Sequence, residues 1–344
     1  MKKIGIICLL VLISCGKEKF EPHNYTEVFV DQVYSDSVSI RAITLMDGNL
    51  GFAGSKNTYG IYNAAQKSVV TQQMEQDSLA MEFRAVASTN TDFYMLTVAS
   101  PALLYKTGDQ GKMELVYREE HEKVFYDAME FWNNQEGIAM GDPTDGCLSV
   151  IVTRDGGQHW NKLSCDVLPE GVEGEAAFAA SDTNIAVVGD HTWIVTGGKK
   201  ACVFYSPDKA VTWQIFETPI IQGEPTQGIY SVDFYDKDNG FIIGGDYTKP
   251  NGNTANKAIT SDGGKTWQLV GQGQDPGYRS CVQYLPGRKA EELVAVGFKG
   301  ISFSNNKGKD WKQISEEPFY TIRFINDSTA FAAGKNRIAK LTFR

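Results

Sequence analysis

Histidine and cysteine are scarce in this chain of 344 residues, at 4 and 6 respectively, and no pair in its body has the spacing of a metal site. There is no Gly-rich phosphate loop, no Gly-x-Ser-x-Gly elbow and no dinucleotide fingerprint. These absences argue against metalloenzymes, nucleotide enzymes and serine hydrolases of the elbow type, and no cofactor or metal is expected. No apolar run is long enough to cross a bilayer as a helix. No helical periodicity lasts three turns, and no Pro- or Ser-rich linker divides the body. Basic residues are also too few: 33 Lys and Arg against 42 Asp and Glu leave a net charge of −9, which argues against nucleic acid as a partner.

What the chain has is a repeated turn. The pattern Ser/Thr-x-Asp-x-Gly-x-x-Trp occurs with Thr153, Asp155, Gly157 and Trp160, and again with Thr260, Asp262, Gly264 and Trp267. Ser206, Asp208, Ala210 and Trp213 form a variant, and Ser304, Asn306, Gly308 and Trp311 another. A short acidic side chain can accept backbone N–H groups inside a tight hairpin, and Gly takes a positive φ at no steric cost. The Trp then opens the returning strand and packs between units. These residues read as structural. The copies lie roughly 45 to 55 residues apart, near the period of a propeller. A worn copy, Thr107-Gly108-Asp109-Gln110-Gly111, precedes them.

Each box follows an aromatic-ended strand, a polar turn and a Gly-bounded apolar strand, as from Phe131 to Gly141 and from Phe234 to Gly244. Phe178 to Gly189 reads as a slightly longer copy. Inner strands beginning near Ile40, Phe83, Tyr126, Gly174, Tyr230, Tyr278 and Tyr320 predict an all-β, seven-bladed propeller of four-stranded antiparallel blades. The last unit runs out of chain before a fourth strand, so the strand from Glu27 to Val33 is expected to complete it and remove the free edge. One domain, residues 25–344, follows.

The N-terminus reads as a targeting signal. Lys2 and Lys3 precede an apolar stretch ending at Ser14-Cys15, which resembles a bacterial lipobox. Residues 1–14 are then the signal peptide, Cys15 the lipidated first residue, and residues 15–24, with His23, a tether. That places the protein in the bacterial cell envelope, at the outer membrane and held by its lipid. Cys147 and Cys165 flank the first strong box; a cross-strand disulfide and two buried thiols are both compatible with that placement.

Blade geometry locates a candidate site. The boxes share a face with the first-to-second strand turns, so functional groups belong on the opposite face, at the channel mouth. The repeat places Arg41, Arg84, Tyr126, Asp127, Glu175, Tyr230, Tyr278, Arg279 and Tyr320 there, at inner-strand starts. Asp142, His191 and Asp246 come from loops read as second-to-third strand connections. Two readings stand: a recognition surface, or an ionic plug that fills the channel. His121 and His159 read as solvated.

The boxes, with Phe-x-Asn/Asp-x-x-x-Gly before Asp262-Gly263-Gly264-Lys265-Thr266-Trp267, are of the kind called the Asp-box or BNR repeat. The chain resembles the photosystem II stability/assembly factor family of propellers, and more distantly the sialidase superfamily. The first resemblance, from about Glu27 to the end, implies a non-enzymatic binding or assembly module with an envelope protein or glycan as partner, acting as a monomer. The second implies, as the alternative, a glycoside hydrolase using Arg41, Arg84 and Arg279 with a Tyr and either Asp127 or Glu175. Against it, Ile40-Arg41-Ala42 stands where those enzymes carry Arg-Ile-Pro.

Overall fold

Second and third strands are apolar on both faces: Phe93–Thr97, Gly137–Gly141, Leu293–Gly297 and Gly300–Ser304 are buried at every position. A sheet of such strands must be covered on both sides, and stacking sheets around an axis does this. The computed structural model describes residues 20–75, 80–108 and 111–344. The signal peptide, Cys15, and Asp109 with Gln110 of the worn box lie outside the described residues. The core lies between neighbouring sheets. In one cluster Ile138, Met140 and Val150 of one sheet meet Ile194 and Phe204 of the next. Outer strands such as Ser68–Gln73 and Gln214–Glu217 are largely exposed.

The chain is an all-β propeller, but the expected seven four-stranded blades are corrected: its described strands form six hydrogen-bonded sheets, four of four strands and two of six. One cause is at the termini. Val28–Met46 and Thr329–Phe343 are long continuous strands that pair from Val28 with Phe343 to Ser39 with Lys335. They therefore bond the first and last repeat units into one six-stranded sheet. The other cause is in the middle. Glu175–Ala176, expected to open an inner strand, pairs with Gly197–Gly198 and joins the sheet of Gln227–Phe234 instead. The inner strand of that unit begins only at Ile185.

Residues 20–24, expected to be tether, are instead docked. Tyr25 is buried between Phe303 and Phe343, with ring centroids 5.0 and 5.8 Å away. His23 donates its N–H to Glu292 Oε1 at 2.8 Å and places Nδ1 2.8 Å from Oε2 of the same carboxylate. Cys147 and Cys165 are disulfide-bonded, with Cα atoms 5.5 Å apart.

All four boxes close in the same way. Thr153 Oγ1 accepts the Gly157 N–H at 2.9 Å and donates to Asp155, whose carboxylate accepts the His159 N–H at 3.0 Å. Ser206, Thr260 and Ser304 repeat the bond to Ala210, Gly264 and Gly308. Those positions have φ between 67 and 83°, so Ala210 holds a strained conformation. Space is a second demand on the glycines. A Cβ on Gly157 would sit 2.4 Å from the Tyr94 ring of the preceding sheet.

Residues 179–184 leave the sheets and cross the central channel, touching every inner edge. Arg84 donates to Ala179 O at 3.0 Å and Arg41 to Ala180 O at 3.2 Å. Ser181 donates to Ser280 O at 2.6 Å, Thr321 donates to Ser181 O at 2.9 Å, and Arg323 to Asp182 O at 3.0 Å. Thr183 bonds Ser231 at 2.8 Å. Asp182, at φ 58°, is the knot of this segment. Its carboxylate accepts the N–H of Val86 at 3.0 Å and of Met129 at 3.1 Å, from two different sheets.

Removing that carboxylate strands two buried donors, each worth about 1–3 kcal/mol. Asp182→Ala is therefore expected to lower the unfolding free energy by about 2–4 kcal/mol in a urea titration. A loss below about 1 kcal/mol would contradict the structural role assigned to the segment.

Candidate functional site

The cavity-facing side chains are aimed by backbone irregularity. An extra residue in one strand of an antiparallel pair bends it and redirects a side chain. Such a bulge lies between Ile40 and Ala42, between Phe83 and Ala85, and between Ile229 and Ser231. The intervening residues are Arg41, Arg84 and Tyr230. The same shift in Tyr126–Phe131 singles out Asp127. At Tyr320 the N–H donates to Ala333 O at 2.7 Å, although Ala333 already pairs with Thr321. A recurring irregularity thus turns Arg41, Arg84, Tyr230 and Tyr320 toward one opening, while Asp127 at the equivalent position stays buried.

Arg41, Arg84, Asp142, Tyr230, Tyr278 and Tyr320 line one cavity of about 460 Å³ on the face away from the boxes. Residues 176–180, which lead into the crossing segment and share Ala179 and Ala180 with it, form its floor. Its walls are aromatic. Phe178 stacks on Tyr230 at 3.9 Å, and Tyr278 meets Tyr230 edge-on at 4.7 Å. Tyr247 and Phe298 stand at the rim, 48 and 41 % exposed. Arg41 lies over the Tyr320 ring at 3.9 Å, a cation–π contact. Burial, with Arg84 beside it, lowers the Arg41 pKa. Arg84 is held by Glu82 at 2.9 Å.

The other expected residues do not meet there. Tyr126 is fully buried and donates its hydroxyl to Glu119 at 2.7 Å. Asp127 is sealed: it has no exposure, and neither carboxylate oxygen has a hydrogen-bond partner among the described residues. Burial, then the nearby Asp142, push its pKa well up, against Arg84. Glu175 is buried, accepting from Thr196 and from the Val172 N–H at 3.0 Å. Asp246 caps its own loop through Thr248. Arg279 donates to Tyr278 O at 2.9 Å and Ser302 at 3.1 Å, and borders a separate polar pocket. His191 is on the opposite face. It begins His191–Val195, the second strand of its unit, and bonds the Tyr205 hydroxyl at 2.7 Å. Both His191 and Glu175 are corrections with one cause, the delayed inner strand at Ile185. The sequence reading also missed Phe178 and Phe298 as cavity walls. Phe178 had been placed inside a regular strand, and Phe298 follows a glycine that ends one.

No protein-family model matches the chain, and no curated protein matches it in sequence. Solved structures do match in fold. A structure described as YCF48 bound to D1 peptide has a TM-score of 0.67 at 13% identity, covering 96% of this chain and 100% of that one. RRP9 WD40 repeats give 0.63 at 10% identity, covering 95% and 100%. YCF48 from Cyanidioschyzon merolae gives 0.59 at 13%, covering 92% and 98%. Likeness at such identities is one of fold: a propeller shared by proteins of different roles.

Asp142 supplies a titration to follow. Burial raises its carboxyl to about 6 from the ordinary 3.8, while the Ala177 N–H, 2.7 Å away, opposes the rise. The folded chain then binds more protons than the unfolded one between those values, so stability falls as pH rises from about 4 through about 6. Asp142→Asn keeps an acceptor for Ala177 and is expected to shrink this drop in thermal melts taken at pH 4.5 and 7.5. An identical drop in both proteins would refute the assignment.

Proposed function

We propose that this chain is a non-enzymatic binding or assembly module of the bacterial cell envelope, lipid-anchored through Cys15, whose protein partner is taken by the aromatic cavity. The observation that carries the reading is that cavity: open, walled by Phe178, Tyr230, Tyr278 and Tyr320, and rimmed by exposed Tyr247 and Phe298. Amphipathic rings and arginine are the side chains that dominate protein-recognition hot spots. The crossing segment closes the channel beneath, so a ligand docks and does not pass through. A YCF48 propeller described as bound to a D1 peptide supports a polypeptide as the occupant.

The chemistry of the cavity does not favour glycoside hydrolysis. The sialidase-like reading needs Arg279 and either Asp127 or Glu175 beside Arg41, Arg84 and a tyrosine. Asp142 is the one carboxylate among the lining residues, while Asp127 and Glu175 are buried outside the lining and Arg279 borders a separate pocket.

The test is capture from an envelope extract, identification, and binding of the purified partner. Tyr247→Ala combined with Phe298→Ala is expected to weaken that binding at least about 10-fold, as for two lost aromatic anchors, with the thermal melt unchanged. Unaltered affinity would refute the site. Turnover of a fluorogenic glycoside, abolished by Asp142→Asn, would replace the proposal with the hydrolase reading.

A further inference from the structure

The docked N-terminal segment is held by three turns, and all three belong to one face. Phe20 lies under Arg288 and Lys289, at 4.8 and 5.4 Å, and Arg288 donates to Glu21 O at 2.6 Å. These residues and Glu292 form the turn after Cys281–Tyr284. Asn305, in the turn of the fourth box, donates to His23 O at 2.7 Å. Tyr25 donates to Asp327 O at 3.1 Å, in the turn before Thr329–Phe343. Glu292, which takes both His23 bonds, has no exposure. The segment is therefore fastened to the box face, and the aromatic cavity opens on the other.

We infer that the box face lies against the lipid bilayer and holds the aromatic cavity outward, away from the membrane. The inference rests on the proposed lipid anchor at Cys15. Only residues 16–19 separate that anchor from the docked Phe20. Whatever their conformation, the five Cα–Cα steps from Cys15 to Phe20 span at most about 18 Å. The strands that separate the two faces are by themselves roughly 17–20 Å long, and the turn that holds Phe20 and the loops of the cavity rim extend beyond their two ends. Such a leash cannot carry the cavity face round to the membrane while the latch holds. The cavity is thus presented to partners in the aqueous compartment, or in the soluble part of another envelope protein, and not to lipid.

The test uses the acylated protein in phospholipid vesicles containing nitroxide-headgroup lipid. Cys202 and Cys281 are buried, so a fluorophore can be placed at one introduced thiol. Lys309→Cys reports the box face and Lys249→Cys the cavity face; both positions are exposed. Quenching is expected to be at least about threefold stronger at position 309, given the leash length. A Gly/Ser spacer of about 20 residues between Lys19 and Phe20 should abolish the contrast. Co-flotation with equal or reversed quenching overturns the orientation and leaves the anchor standing. Persistence of the contrast with the spacer overturns the leash argument. Failure of the protein to float with vesicles defeats the anchor itself, and the orientation with it.

Discussion

Backbone carbonyls of a single irregular segment bind this propeller at its axis. A ring of sheets leaves a channel where inner strands end in unpaired polar groups and where a void would forfeit packing. Residues 179–184 fill it, and Asp182 accepts N–H groups from two sheets while Arg41, Arg84 and Arg323 donate to successive carbonyls. The charges left a recognition surface and an ionic plug both open; the axis itself is filled by backbone, with arginines serving as its donors. That distinction matters for Arg41, which has no carboxylate ion pair among the described residues, whereas Arg84 pairs with Glu82.

The cavity inherits its character from this arrangement. Arg41 spends one donor on the plug and lays its plane on Tyr320, so it faces the cavity as a cation on an aromatic wall. Asp127, at the equivalent bulge, has no hydrogen-bond partner among the described residues, and burial pushes its pKa well up. The nearby Asp142 pushes in the same direction, and Arg84 opposes it. The cavity and the axis thus share residues: Ala179 and Ala180, whose carbonyls take the arginines, also line the cavity floor.

Much of the propeller was legible in the sequence because its signals are local. The boxes are closed by bonds between residues two to four apart, and all four took that form, even with Ala210 in place of Gly. The pairing of the N-terminal strand with the C-terminal one could be read from a missing strand. The blade count could not, because continuity of Val28–Met46 and Thr329–Phe343 across two units is a matter of hydrogen bonding and not of pattern. His191 and Glu175 went astray together: Phe178 to Gly189 has the repeat's spacing, yet half of it leaves the sheet for the channel.

The sequence by itself determined the all-β repeat and the turns, since each follows from spacing and side-chain chemistry within one unit; it offered twelve candidate positions, of which the folded chain brings six to the cavity. Only the tertiary structure decided which neighbours those positions found. A channel must be filled, a bulge points a side chain only relative to its partner strand, and a carboxylate is neutral or charged according to what surrounds it. Those are properties of residues far apart in the chain, and no local pattern records them.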